Sequence, residues 1–333
     1  MPPNNIFGKP INRVSIAQKH IDLSQMNRRK FIATTSGFAL SAAAAPAMAR
    51  ILPAMDVMDR IGMGTLLFRN QIKTRPDMVV TNELTLLDIP QHHRDVFGVK
   101  KLEFWSDHLM SFDKDYLADL KGKIKKAGCE LLNFQIDTSP ADRTPYDLAT
   151  LDEDRRKAGV EQVKKWLDVA ATLGTKCVRV NPGGPRNASV EQSIKSYQEL
   201  IPVAKSKNIT IIAANHSGIE RDPDKHVEIV KGAAGLYTQP DFGNYNNPTT
   251  MYDSLAKIIP LAYAVSAKVS NIAMVDGKIT TPQYDFDKCM QLTESMGFKG
   301  VYIMNQWGNI PAGVSTDDIG KWMVERIKAN IKA

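Results

Sequence analysis

From residue 60 to the C-terminus, short runs of β-branched and other apolar residues alternate with longer stretches whose apolar positions recur at helical spacing. The short runs fall at 60–67, 99–105, 130–136, 176–181, 209–215, 235–241, 262–268 and 300–306, which predicts eight strands. The stretch 152–173 shows the intervening pattern. Val160, Val163, Leu167 and Ala170 recur on one helical face, Asp152-Glu153-Asp154 opens the first turn, and Gly174 follows the last. Ala127-Gly128 and Met296-Gly297 close two further helices in the same way, with glycine where a left-handed cap is needed. Eight strand-then-helix units predict a (β/α)8 TIM barrel, and the strands read as continuous apolar runs because helices cover the sheet outside. A doubly wound open sheet is the alternative. No linker, low-complexity tract or second domain interrupts residues 60–333, so residues 50–333 are expected to form one barrel domain.

The first 49 residues do not share this pattern. Arg28-Arg29-Lys30-Phe31-Ile32 precedes an Ala-rich, weakly apolar run and then Ala47-Met48-Ala49, the order of a twin-arginine export signal with its cleavage site. Met26 stands directly before Asn27-Arg28-Arg29 and is a candidate start. The run is too short and too rich in alanine to span a bilayer, which takes about 20 strongly apolar residues. The expectation is a soluble mature chain beginning near Arg50, exported to the periplasm, with no membrane span.

The formal charge of +7 changes meaning once this segment is set aside. Lys9, Arg13, Lys19, Arg28, Arg29 and Lys30 against Asp22 put five of the seven net positive charges before residue 50. No basic stripe with interleaved aromatics remains, so a nucleic-acid partner is not expected. Cys129, Cys177 and Cys289 are too few and too far apart for a disulfide framework or a metal knuckle, and read as small buried hydrophobes. His92-His93 read as a surface pair.

The chemistry of a TIM barrel sits at the C-terminal ends of its strands. Those ends carry Trp105, Asp107 and His108, then Asp137, then Asn181-Pro182-Gly183-Gly184, then Asn215-His216. The last three carry Asp241-Phe242-Gly243-Asn244, Lys268, and Asn305-Gln306-Trp307. His216 and Asp241 are candidate bases and Lys268 a candidate electrophile. The amides Asn181, Asn215, Asn244 and Asn305, with His108 and Asp137, are candidates for hydroxyl recognition, and Trp105 and Trp307 for stacking on a sugar face. Each also has a structural reading: a loop cap for His216, an ion pair between Lys268 and Asp241, packing for the tryptophans. Gly62-Met63-Gly64 lacks the last glycine of a dinucleotide fingerprint and reads as the crowded mouth of the first strand.

The run WLDVAATLGTKCVRVNPG at 166–183, with Asn215-His216-Ser217-Gly218, Asp241-Phe242-Gly243-Asn244 and Gly297-Phe298-Lys299-Gly300 in that order, resembles the sugar phosphate isomerase/epimerase family of xylose isomerase-like barrels. The resemblance implies a divalent metal held by a Glu before the Asn-His of strand five, the Asp of strand six, a His two residues before the Lys of strand seven, and a Glu ending strand eight. Here those positions hold Ala214, Asp241, Ser266 and Asn305. One carboxylate, an amide, a hydroxyl and a methyl are a poor ligand set for a hard cation, so no cofactor is expected. A relocated metal on His108, Asp137 and Asp241 is the alternative.

The leading expectation is therefore an isomerase, epimerase or lyase that moves a proton on a carbohydrate or related polyhydroxy carbonyl compound without the family's metal. Lys268 would stabilise an enolate and His216, with an ordinary pKa of ~6.5, would shuttle the proton. The competing expectation is a barrel that binds a carbohydrate or a partner without turnover.

Overall fold

The computed structural model describes residues 56–331 apart from 75–77, 81–82, 139–144, 186 and 246. The twin-arginine segment and the Ala47-Met48-Ala49 site lie outside the described residues.

All eight predicted strands are present: β1 (Ile61–Gly64), β2 (Lys101–Trp105), β3 (Glu130–Ile136), β4 (Cys177–Val180), β5 (Thr210–Ala214), β6 (Leu236–Gln239), β7 (Ala264–Ser270) and, after a small β8–β9 hairpin (Ala273–Val275, Lys278–Thr280), β10 (Val301–Trp307). They pair in parallel in the order β6-β5-β4-β3-β2-β1-β10-β7. Isolated parallel bridges Thr238↔Ala262 and Asp241↔Ser266 join the two ends, so the sheet closes as a barrel and the open-sheet alternative falls. The predicted first strand is too long at its C-terminal end, because residues Thr65–Phe68 turn into a 3-10 helix.

Helices follow the strands: α1 (Ile89–Phe97), α2 (Lys114–Lys126), α3 (Glu153–Leu173), α4 (Val190–Ser206), α5 (Pro223–Gly232), α6 (Met251–Ile258), α7 (Phe286–Ser295) and α8 (Thr316–Asn330). In α3 the Asp152 carboxylate accepts from the amides of Asp154 and Arg155, satisfying two of the four donors that an N-terminus leaves open. Its apolar stripe is buried, and Gly174 ends it at φ +82°, a left-handed conformation that favours glycine. The main core lies between helices and sheet and takes in Leu167, Trp166, Phe134 and Ile211. Cys177 and Cys289 are buried and Cys129 partly so, as expected of small hydrophobes. His93 corrects the surface reading of His92-His93: on α1 it faces inward, fully buried and packed 5.0 Å from the Phe68 ring.

Side chains alternate across a strand, so residues two apart share the barrel interior. A small apolar cluster, Leu132, Ala264, Val301 and Ile303, fills the N-terminal halves of its strands. Beyond it the interior turns polar. Glu103 on β2 is fully buried, and its two oxygens accept from the amides of Asn133 (2.5 Å), Gln135, Gln239 (2.8 Å) and Asn305 (2.8 Å). Gly64 on β1 makes room for this contact, because a Cβ there would run into the Asn305 amide and stand 3.0 Å from Glu103 Oε1.

Candidate active site

Above the Glu103 layer a cavity of about 630 Å3 opens at the C-terminal ends of the strands, a size within the range of small-molecule sites. Nine of the eleven residues singled out from the sequence line it: Trp105, Asp137, Asn181, His216, Asp241, Asn244, Lys268, Asn305 and Trp307.

Asp241 and Lys268 form its inner wall. Both are buried, and Lys268 Nζ stands 3.2 Å from Asp241 Oδ2 and donates to Asn244 Oδ1. The other Asp241 oxygen accepts the Gly243 amide at 2.9 Å. Burial lowers the Lys268 pKa below its ordinary value, with the Asp241 carboxylate opposing that shift. The ammonium is thus poised beside one counter-ion on a dry wall, where its charge acts over a short range with little screening.

Arg179 and Asp137 form the second pair, which the sequence reading did not single out on the arginine side. Arg179 Nη2 donates to both Asp137 oxygens at 3.0 and 3.1 Å, and Trp105 Nε1 donates to Asp137 Oδ2 at 2.8 Å. Burial works against the Asp137 carboxylate, but Arg179, His216 and these hydrogen bonds outweigh it and hold the pKa below the ordinary value. A charged residue inside the buried strand β4, two positions before Asn181, was the signal available for Arg179.

His216 stands part-exposed at the pocket wall, with Ser217 Oγ 3.1 Å from its Nδ1. Burial first, then the Arg179 charge, lowers its pKa to about 4. With that shift the imidazole is a weaker base than an ordinary histidine. Glu220, which the sequence reading missed, lies in the 3-10 turn Ile219–Arg221 after β5 and lines the same cavity. Its carboxyl is almost fully buried, and burial raises its pKa to about 7.

Three of the amides that line the cavity have a buried atom without a partner. Asn181 Oδ1 accepts the Ala214 amide at 2.9 Å and leaves its Nδ2 without a partner. Asn244 leaves its Nδ2, and Asn305, whose Nδ2 is spent on Glu103 and Ser266, leaves its Oδ1. Buried polar atoms left over in this way at a cavity are what a ligand rich in hydroxyls would satisfy. Trp307 is half exposed, with the Arg69 guanidinium 4.8 Å from its ring centroid on one face.

Two predicted site residues stand elsewhere. Asn215 is fully buried and spends both ends of its amide on the Asp241 backbone, donating to the carbonyl at 3.0 Å and accepting from the N–H at 2.7 Å. It clamps the β5 and β6 ends together and holds Asp241 in place. His108 is buried against Thr65 Oγ1 at 2.9 Å and edge-on to Trp105, and burial together with Arg69 pushes its pKa down to about 3. His108 faces Thr65, Asp137 faces Arg179, and Asp241 faces Lys268. Among the described residues, no three His, Cys, Asp or Glu side chains converge to hold a cation.

The family model described as xylose isomerase-like TIM barrel matches residues 96–326. A curated relative, an uncharacterized protein of Methanocaldococcus jannaschii, is 27% identical over 168 residues, which cover 47% of this chain and 54% of that protein. The chain thus spans about half the length of the curated relative it matches. Among solved structures, an L-ribulose 3-epimerase superposes with a TM-score of 0.62 at 13% identity, covering 81% of this chain and 95% of that one. A D-psicose 3-epimerase with D-tagatose from Clostridium cellulolyticum H10 gives 0.55 at 13% identity, covering 81% and 96%. A xylose isomerase-like TIM barrel protein from Mycobacterium smegmatis, in complex with magnesium, gives 0.57 at 14% identity, covering 81% and 97%. At such identities the likeness is one of fold.

Proposed function

The chain belongs to the xylose isomerase-like TIM barrel family, and on that premise we propose that it moves a proton on a polyhydroxy carbonyl compound, as a sugar isomerase or epimerase does, without the divalent metal. The observation that carries this reading is the Asp241–Lys268 pair, 3.2 Å apart on the cavity wall beside the unused amide atoms of Asn181, Asn244 and Asn305.

Removing a proton α to a carbonyl leaves negative charge on the carbonyl oxygen, and a buried ammonium at that oxygen stabilises the charge where it develops. Lys268 is the group placed for this, with Asp241 fixing its position. The unused amide atoms orient the substrate hydroxyls, and neutral His216 donates or accepts one more hydrogen bond. The donors at the family's four metal positions do not fit a divalent cation. Ala214 offers no ligand, Ser266 Oγ and Asn305 Nδ2 are engaged with one another at 3.3 Å, and Asp241 already faces an ammonium.

Export through the twin-arginine route to the periplasm belongs to the same proposal and rests on Arg28-Arg29 and Ala47-Met48-Ala49. A second reading, a barrel that binds a carbohydrate without turnover, draws on the loss of three of the four metal positions.

The test is isomerisation or epimerisation of a panel of pentoses and hexoses by EDTA-treated protein, compared with Lys268→Met. Turnover by the treated wild type and a fall of about a hundred- to a thousandfold in kcat for the variant are expected, the range for deleting one charge-stabilising donor. The variant leaves Asp241 unpaired, so Asp241→Asn/Lys268→Met serves as the folding control. Full activity in Lys268→Met would refute the role given to the lysine, and binding of a sugar without turnover would favour the second reading.

A further inference from the structure

We infer that Glu220 is the proton-transferring base of this pocket. The inference rests on the proton-transfer reading above.

The geometry is specific. Glu220 follows β5 by one short turn and lines the cavity at the mouth of the barrel. Oε1 accepts the Gly218 amide at 3.1 Å, and Oε2 is buried without a hydrogen-bond partner, on a residue that lines the cavity. A buried carboxyl with one oxygen anchored and the other unspent is under-satisfied as a structural group. Gly218 is built for this placement. A Cβ on it would stand 2.7 Å from Glu220 Oε2 and 2.9 Å from the Gly183 carbonyl, so any side chain there would push the carboxyl off the β4 loop.

The groups facing the carboxyl come from several elements. Arg179 on β4 lowers its pKa and Asp137 after β3 raises it, while the phenols of Tyr146, Tyr197 and Tyr245 lie within electrostatic reach. Burial outweighs the stabilising contacts, and the pKa rises to about 7. A base is most effective when its pKa lies near the working pH, because it is then substantially ionised and still basic enough to accept a proton. Asp137, held as a carboxylate by Arg179, and His216, with its lowered pKa, are both weaker bases at neutral pH.

In the step itself the Glu220 carboxylate takes the hydrogen from the carbon next to the substrate carbonyl. The C–H pair becomes the carbon–carbon double bond, the carbonyl π pair moves onto oxygen beside Lys268, and the carboxyl holds the proton. Collapse of the enolate returns the pair to carbon, and Glu220 delivers the proton to that carbon, or to the former carbonyl carbon once the proton of the adjacent hydroxyl has moved to the enolate oxygen. No oxidant, reductant or second substrate is consumed.

The experiment is wash-in of solvent deuterium into D-fructose, D-tagatose and L-ribulose, followed by proton NMR between pH 5 and 9. For the wild type, the exchange rate should rise through a limb centred near pH 7. Glu220→Gln should lose that limb and about 10²- to 10⁴-fold in rate, the span of a general base. Independently of any sugar, protein carrying 13C-labelled glutamate side chains should show a carboxyl titrating near pH 7 that is missing from Glu220→Gln. Exchange by the wild type that persists at full rate in Glu220→Gln would overturn the assignment and leave the proposed function standing. A flat wild-type profile between pH 6 and 8 would overturn it without recourse to a variant. Absence of exchange on all three sugars would overturn the function and the role of Glu220 together.

Discussion

Glu103→Gln tests the polar layer that separates the barrel core from the cavity. Glu103 is fully buried, and its oxygens take two amide donors each: Oε1 those of Gln135 and Asn305, Oε2 those of Asn133 and Gln239. A glutamine keeps the shape but replaces one oxygen with an NH2 that faces two donors. Hydrogen bonds to a charged group are worth about 1.5–3 kcal/mol each, so two of them bound the loss at about 3–6 kcal/mol. Asn305 and Gln239 can recover part of this by turning their amides, since Asn305 Oδ1 and Gln239 Oε1 have no partner in the native arrangement. The expected destabilisation is therefore about 3 kcal/mol, near the lower bound. Equilibrium urea unfolding followed by circular dichroism would read it as a lowered midpoint at unchanged slope. A cycle with Asn305→Ala should show that the two changes are not additive, because they share a contact. A Glu103→Gln variant within about 0.5 kcal/mol of wild type would refute the reasoning, since that is the scatter of ordinary surface changes. Asn305 also lines the cavity, so a turned amide would alter the pocket as well as the fold.

Four further outcomes follow from the same contacts. Gly64→Ala should destabilise by about 1–3 kcal/mol, the range for overpacking, because its Cβ would enter the Asn305 amide; an unchanged thermal midpoint would show that the layer yields more readily than its contacts indicate. His226 is fully buried, and burial lowers its pKa to about 4 against an opposing backbone contact at Ala213. Its neutral form is thus favoured on folding. That contribution is complete above pH 6.5 and is lost as pH falls through 6.5 towards 4; His226→Leu should flatten the acid limb of a stability-versus-pH curve, and an unaltered limb would assign acid unfolding to other groups. Replacing Arg28-Arg29 with a lysine pair should keep the chain out of the periplasmic fraction, and unchanged fractionation would remove the export proposal. Asn215→Ala should lower kcat through displacement of Asp241, with the pH profile retained; a kcat equal to that of wild type would show that Asp241 is held without the clamp.

The eight strands and the helix stops were legible in the chain because they depend on short-range rules. Buried parallel strands are written as apolar runs, and Gly98, Gly128, Gly174 and Gly297 are required wherever a helix ends in positive φ. Barrel topology then places the strand ends in one ring, which is why Asp137, Asn181, Asp241, Lys268 and Asn305 could be gathered before any coordinates. The limits lie where chemistry depends on partners distant in sequence. Asn215 and Asn181 look alike at strand ends, yet one spends both ends of its amide on the neighbouring backbone and the other, which lines the cavity, leaves its NH2 without a partner. His216 reads as an ordinary imidazole in the chain, and only its burial beside Arg179 lowers its pKa to about 4. Glu220 follows no periodic pattern, because a 3-10 turn and the bare backbone of Gly218 carry its carboxyl to the wall. Local preference and periodicity are properties of the chain and fix the elements. Desolvation, pairing and the satisfaction of buried polar atoms are properties of the closed barrel, and they alone decide which of its polar residues are structural and which face the cavity.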